Sequence, residues 1–149
     1  MTEDEIELKV QTAIDKLLDR DALLLQNDAA ERAITAKLSC YIQEEFDDWD
    51  VDCEYNRNFH RVKRLKEICK SKNKENGASV FPDIIVHQRM TEHNFIVVEV
   101  KKTTNTESSD CDLMKLEAFR EELGYEYGLF IRFKAGVESV GVEEIVWVY

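Results

Sequence analysis

Apolar positions along the chain change period several times, and each change marks an element. Ile6, Val10, Ala13, Ile14, Leu17 and Leu18 recur three and four apart, the spacing of one helix face. Thr2 and Glu5 stand ahead of them with the spacing of a capping box. Asp21 restarts a short turn through 23–25. A second helical stripe follows at Ala30, Ala33, Ile34, Leu38, Tyr41 and Ile42, with Asn27 or Asp28 placed to cap it. The period then falls to two: Trp49, Val51, Cys53 and Tyr55 alternate with Asp50, Asp52, Glu54 and Asn56, which predicts a half-buried strand. Residues 81–88 and 94–101 read as two more strands. The second contains FIVVEVK, almost unbroken in its apolar character, as in a strand covered on both faces. The polar stretch 103–110 leads into a third long helix over 111–123, which Gly124 is placed to stop. Residues 127–133 and 144–149 predict two last strands around a loop holding Gly136 and Gly141. A strand, a helix and another strand in succession allow a parallel crossover within a mixed sheet, so the expected class is α/β.

Composition narrows this only a little. The 149 residues, with one proline, no repeat and no low-complexity linker, fit one domain spanning 1–149. No apolar run approaches the roughly 20 residues of a membrane span, so no membrane association is expected. The first residues, MTEDEIELKV, lack the basic start and apolar stretch of a secretory signal, so a cytoplasmic location is expected. Cysteines 40, 53, 69 and 111 suit neither a zinc site nor a disulfide framework. Cys40 and Cys53 fall on apolar positions, which predicts buried free thiols. The three histidines show no ligand spacing.

Charge changes the picture more. The net charge of −11 argues against general affinity for a polyanion. Residues 57–74, however, hold eight Lys and Arg against the single acid Glu67, so this segment carries +7 and the rest of the chain −18. Arg57, Arg61, Lys63, Arg64 and Lys66 are the candidates within it for contact with a nucleic-acid backbone, and the alternative is a solvated lysine-rich loop. The insertion spans about 57–78 and ends in the turn signal Asn76-Gly77, with a weak helical pattern over 62–68.

The candidate chemistry lies at Pro82 and Asp83, then Glu99, Val100 and Lys101. Pairing Gln88 with Asn94 across a five-residue loop brings Val86 opposite Ile96 and Asp83 opposite Glu99. Opposed residues share a face, with Cβ atoms about 5 Å apart, and Lys101, two residues beyond Glu99, points the same way. Two carboxylates that close repel strongly in a partly dry site and need a positive occupant. A hard divalent cation such as Mg²⁺ or Mn²⁺ fits oxygen ligands, with the Val100 carbonyl as a further donor. Lys101 is then placed to hold or polarise a water, as phosphodiester hydrolysis requires. The rival is a charged sheet face with no metal.

Pro82-Asp83 followed by Glu99-x-Lys101 resembles the signature of the PD-(D/E)XK nuclease superfamily, and the element order resembles its αβββαβ core over about residues 28–133. The resemblance implies a restriction-endonuclease-like mixed sheet flanked by helices, here with an N-terminal helical extension over 1–26 and an added C-terminal strand. It implies that Asp83 and Glu99 bind metal, that Lys101 assists the attacking water, and that an acid on the preceding helix joins them. Glu31 shares the face of Ile34, Leu38 and Ile42 and is the candidate, although Asp28 and Glu31 equally have the spacing of a capping box. Asp112 and Lys115 open the third helix, where Lys115 can meet a phosphate or stay solvated. Tyr55 is either core or near the substrate. The expectation is a Mg²⁺- or Mn²⁺-dependent endonuclease acting on DNA or RNA, possessing a nucleic-acid partner and open to a homodimer or partner protein. The alternative is a catalytically inactive nucleic-acid-binding or protein-interaction module on the same fold.

Overall fold

A computed structural model describes residues 1–53 and 81–149. The basic segment, the 62–68 pattern and Tyr55 lie outside the described residues. Three helices come first: α1 (Glu3–Arg20), the single turn-and-a-half α2 (Ala22–Gln26) and α3 (Glu31–Glu45). Strands β1 (Asp50–Cys53), β2 (Ile84–His87) and β3 (Asn94–Lys102) follow, then α4 (Asp110–Leu123), β4 (Tyr127–Lys134) and β5 (Gly141–Val148). The strands form one mixed sheet in the order β1-β2-β3-β4-β5, antiparallel except for the parallel β3–β4 pair that α4 connects. The described residues form an α/β fold with a five-stranded mixed sheet flanked by helices.

Alternation along the strands sorts side chains onto two cores. Ile84, Val86, Ile96, Val98, Val100, Leu129, Ile131 and Phe133 pack against the stripes of α1 and α3. Ile85, Val97 and Phe130 face the other way, against Leu116 and Phe119 of α4. By the same alternation Asp83, Glu99 and Lys101 belong to the α4 face. β3 is covered on both sides, which accounts for its apolar run.

Local signals explain most boundaries. Thr2 and Glu5 form the reciprocal capping box of α1. Gly124 ends α4 in the left-handed conformation at φ 76°, where a side chain is strained. Gly128 lets α4 approach β4: a Cβ there would lie 3.2 Å from the Leu116 Cβ and 3.3 Å from that of Val148. Gly128→Ala should therefore cost about 1–3 kcal/mol by overpacking, read as a lower urea midpoint, because neither neighbouring atom is the free end of a side chain.

Several expectations are corrected. β2 begins at Ile84 rather than at 81, because Pro82 cannot donate to a ladder. β5 begins at Gly141 rather than at 144. Asn94 pairs with His87, not Gln88, and a bulge at this end of the hairpin leaves Phe95 as the extra residue. The bulge turns Phe95 into the same core as its neighbour Ile96, against Phe46, Trp49 and Tyr127. Neither Asn27 nor Asp28 caps α3; its N-cap is Ala30, with no side-chain bond. Cys40 and Cys53 are outside any disulfide, but both are exposed rather than buried. Cys40 sits between the buried positions Leu38 and Tyr41 on the outward side of α3, and Cys53 is at a strand end. Cys111 is disulfide-bonded, against the reading of the cysteine spacing. No helix among the described residues is long and apolar enough to cross a membrane.

Candidate active site

β2 stops short of β3, and the backbone groups this frees are answered by acidic side chains. Strand residues direct their own N–H and C=O to the same side, alternating along the chain. Thr103 N–H bonds to Phe133 on the β4 side, so Val100 and Lys102 face the β2 side. There the Val100 N–H donates to Asp83 Oδ2 at 2.8 Å, and the Lys102 N–H to Glu31 Oε2 at 3.3 Å. The β2–β3 register places Pro82 opposite Val100, and Pro82 has no N–H to give the Val100 carbonyl. That oxygen is thus directed beside the two acids without the donor a strand would normally offer.

Asp83 and Glu99 meet directly. The Asp83 N–H donates to Glu99 Oε2 at 3.1 Å. The register holds at Ile84↔Val98 and Val86↔Ile96, so the bulge near the turn does not displace the acids from one another. Burial, followed by the charge and hydrogen bond of Glu99, pushes the Asp83 carboxyl well above the usual carboxylate range. Glu99 is 1% exposed, and its Oε1 lies 2.5 Å from Lys115 Nζ. The contact is a close, buried ion pair. Burial opposes the charge on Lys115, but the Glu99, Asp83 and Asp112 carboxylates outweigh it and raise its pKa.

Lys101 is held differently. Its Nζ donates to Asp112 Oδ2 at 2.6 Å, with both side chains 11% exposed. An ammonium has three N–H groups, so two remain for a water or an anion. Lys102, on the opposite face, donates to Asp28 Oδ1 at 2.8 Å and the Ala29 carbonyl at 2.7 Å. Its ammonium, and then the Thr104 hydroxyl, hold the Asp28 carboxyl below its ordinary range. Asp28, at φ 54°, therefore pins the entry to α3 onto the end of β3, and Glu31 is not part of a capping box with it.

These groups line a cleft of about 210 Å³ that brings together Glu31, Asp83, Glu99, Val100, Lys101 and Lys115, with Asp112, Asn105, Glu107 and Cys111. Lys115 is 12% exposed at its side chain and paired, rather than solvated. Arg57, Arg61, Lys63, Arg64 and Lys66 lie outside the described residues. Two contributors escaped notice in the sequence. In the sequence Asp112 reads only as an opening residue of the helix, although it shares a stripe with Lys115, Leu116 and Phe119. Arg132 carried no signal, yet its guanidinium donates to the carbonyls of Asn105 (2.8 Å) and Glu107 (3.0 Å) and fixes the loop that forms the cleft's far wall.

Five carboxyl groups face two ammonium groups in this cleft. Full ionisation leaves an excess of three negative charges, reduced to two when Asp83 keeps a proton. The buried Glu99 oxygen, the hard-oxygen donor set and this excess fit a divalent cation held by Asp83, Glu99 and the Val100 carbonyl. Among the described residues no three His, Cys, Asp or Glu side chains group closely enough to hold a metal, so the carbonyl would be the third protein ligand. Comparison with known proteins returns no match among family models, curated proteins or solved structures.

Proposed function

We propose that this chain is a metal-dependent nuclease of the PD-(D/E)XK class, hydrolysing phosphodiester bonds of DNA or RNA. The observation that carries the reading is the convergence in one cleft of Asp83, which immediately precedes β2, with Glu99 and Lys101 of the adjacent antiparallel strand β3. The order α3-β1-β2-β3-α4-β4 supports it as an αβββαβ core, with α1 and α2 as the extension and β5 as the added strand. Asp83, Glu99 and the Val100 carbonyl would hold Mg²⁺ or Mn²⁺. When bound, the cation supplies Lewis-acid stabilisation of charge developing on the phosphate and favours deprotonation of water. Lys101, fixed by Asp112, has N–H groups left to orient the attacking water or neutralise a phosphate oxygen. The acidic cleft repels a polyanion until the cation is in place, so metal binding precedes nucleic acid.

The test is cleavage of single- and double-stranded DNA and RNA with Mg²⁺, Mn²⁺ or chelator. Cleavage should require the cation and be lost in Glu99→Gln, which keeps the shape and removes the charge. No cleavage of any substrate by wild type, or equal cleavage by the variant, would refute the proposal. Glu31→Gln should lower cleavage about tenfold or more if Glu31 helps position the cation or water, with little change in urea midpoint, because glutamine still offers an oxygen to the Lys102 N–H. Unchanged cleavage would retire Glu31 from the site. A second reading, the inactive interaction module, is favoured by the two lysine–carboxylate pairs, which already balance part of the cleft's charge.

A further inference from the structure

The two cleft lysines are held in different ways, and the difference has a consequence for metal loading. Lys101 is hydrogen-bonded to Asp112 and has no need to move. Lys115 reaches from α4 to Glu99 Oε1 at 2.5 Å, so it is held by a carboxylate at the centre of the cleft. That oxygen belongs to the carboxylate proposed as a metal ligand, and it is buried beside a second acid. A cation entering there meets an ammonium already against the oxygen it needs, and two positive centres that close repel. We infer that Lys115 is a built-in competitor of the divalent cation: its ammonium balances Glu99 while the site is empty and must leave Glu99 when metal binds.

This inference rests on the reading of Asp83 and Glu99 as a metal site. It assigns Lys115 a role in setting metal affinity, separate from any contact with substrate. In the empty protein Lys115 stabilises a buried carboxylate; in the loaded protein the cation takes over that function. The exchange lowers the apparent affinity for metal, since each cation bound must displace an existing ion pair. Lys115 lines the cleft, so its ammonium has an open side toward which to withdraw.

The experiment is calorimetric titration of Mn²⁺ at pH 8 into wild type, Lys115→Met and Lys115→Gln, with circular dichroism to check folding. Removing the ammonium should tighten Mn²⁺ binding by about tenfold or more, as expected for deleting one positive charge from a shielded site. Measurable binding by a variant alone would support the inference equally. Equal or weaker binding by a folded variant, with wild type binding normally, overturns the inference and leaves the metal site standing. No Mn²⁺ binding by wild type or by either folded variant removes the metal site and this inference together. A measurement on wild type covers the case in which both variants fail to fold: acetylation of Lys115, followed by mass spectrometry, with and without saturating Mn²⁺. Release from Glu99 should raise its labelling several-fold. Labelling that stays constant while Mn²⁺ is shown to bind overturns the inference.

Discussion

Lys101→Ala should destabilise the protein by about 3–5 kcal/mol, the usual cost of removing one partner from a buried ion pair. Asp112 is the reason: it is 11% exposed at its side chain and accepts from the Lys101 ammonium at 2.6 Å. The urea midpoint should fall with an unchanged slope, since the fold and the surface it exposes on unfolding stay the same. Loss of cleavage in this variant would therefore mix two effects. Lys101→Met combined with Asp112→Leu separates them. Replacing both charges by apolar groups is often neutral or stabilising, so the pair of substitutions should recover most of the midpoint. On the proposed mechanism cleavage should stay down by about 10²–10⁴-fold, because the group proposed to orient water or neutralise phosphate is gone. A stable double variant that cuts like wild type would make Lys101 a structural residue only.

Asp83→Asn should abolish the metal response and change how stability depends on pH. Burial and the neighbouring Glu99 raise the Asp83 pKa far above its ordinary 3.8, so the folded state holds a proton that the unfolded chain releases. Between those two values the native state binds more protons, and stability falls as pH rises. The Asp83 contribution is fully present below the ordinary value and is lost as pH passes through the raised one. Asparagine can accept from the Val100 N–H and donate to Glu99, as the protonated acid does, without titrating. Urea midpoints measured from pH 4 to 8 should therefore slope less steeply downward in Asp83→Asn than in wild type. At pH 8 without metal the variant should be the more stable protein. Metal competes with the same proton, so wild-type affinity for Mg²⁺ should rise with pH across this window. A variant that is less stable than wild type at pH 8, or that keeps the full slope, would contradict the electrostatic account.

The sequence carried the parts of this site that depend on strand periodicity. Alternation puts Glu99 and Lys101 on one face whatever surrounds them, and hairpin pairing brings Asp83 alongside. The turn differs by one residue from the simple Gln88–Asn94 pairing, and it holds Met90 in the left-handed region at φ 62° without a glycine to announce it. The bulge at Phe95 absorbs that difference before it reaches the acids. The lysine partners were not legible, since they depend on how α4 is rotated against the sheet. That rotation follows from Leu116 and Phe119 packing on one stripe and from the closeness Gly128 permits, and it delivers Asp112 and Lys115 to the cleft. The capping role weighed for Glu31 failed because Asp28 is engaged with Lys102 instead. Spacing along a helix cannot report a partner seventy-four residues away. Cys40 and Cys53 show the converse limit: an apolar residue type on a regular element does not fix which side it faces.

The central claim is that Asp83 and Glu99 form a divalent cation site. Its most direct test is anomalous diffraction from crystals of the wild-type protein grown with Mn²⁺. The account predicts one strong manganese peak between the Asp83 and Glu99 carboxylates and the Val100 carbonyl, absent from crystals of Glu99→Gln. Full-occupancy manganese elsewhere with none at these acids, or no manganese in the cleft at millimolar concentration, would contradict it.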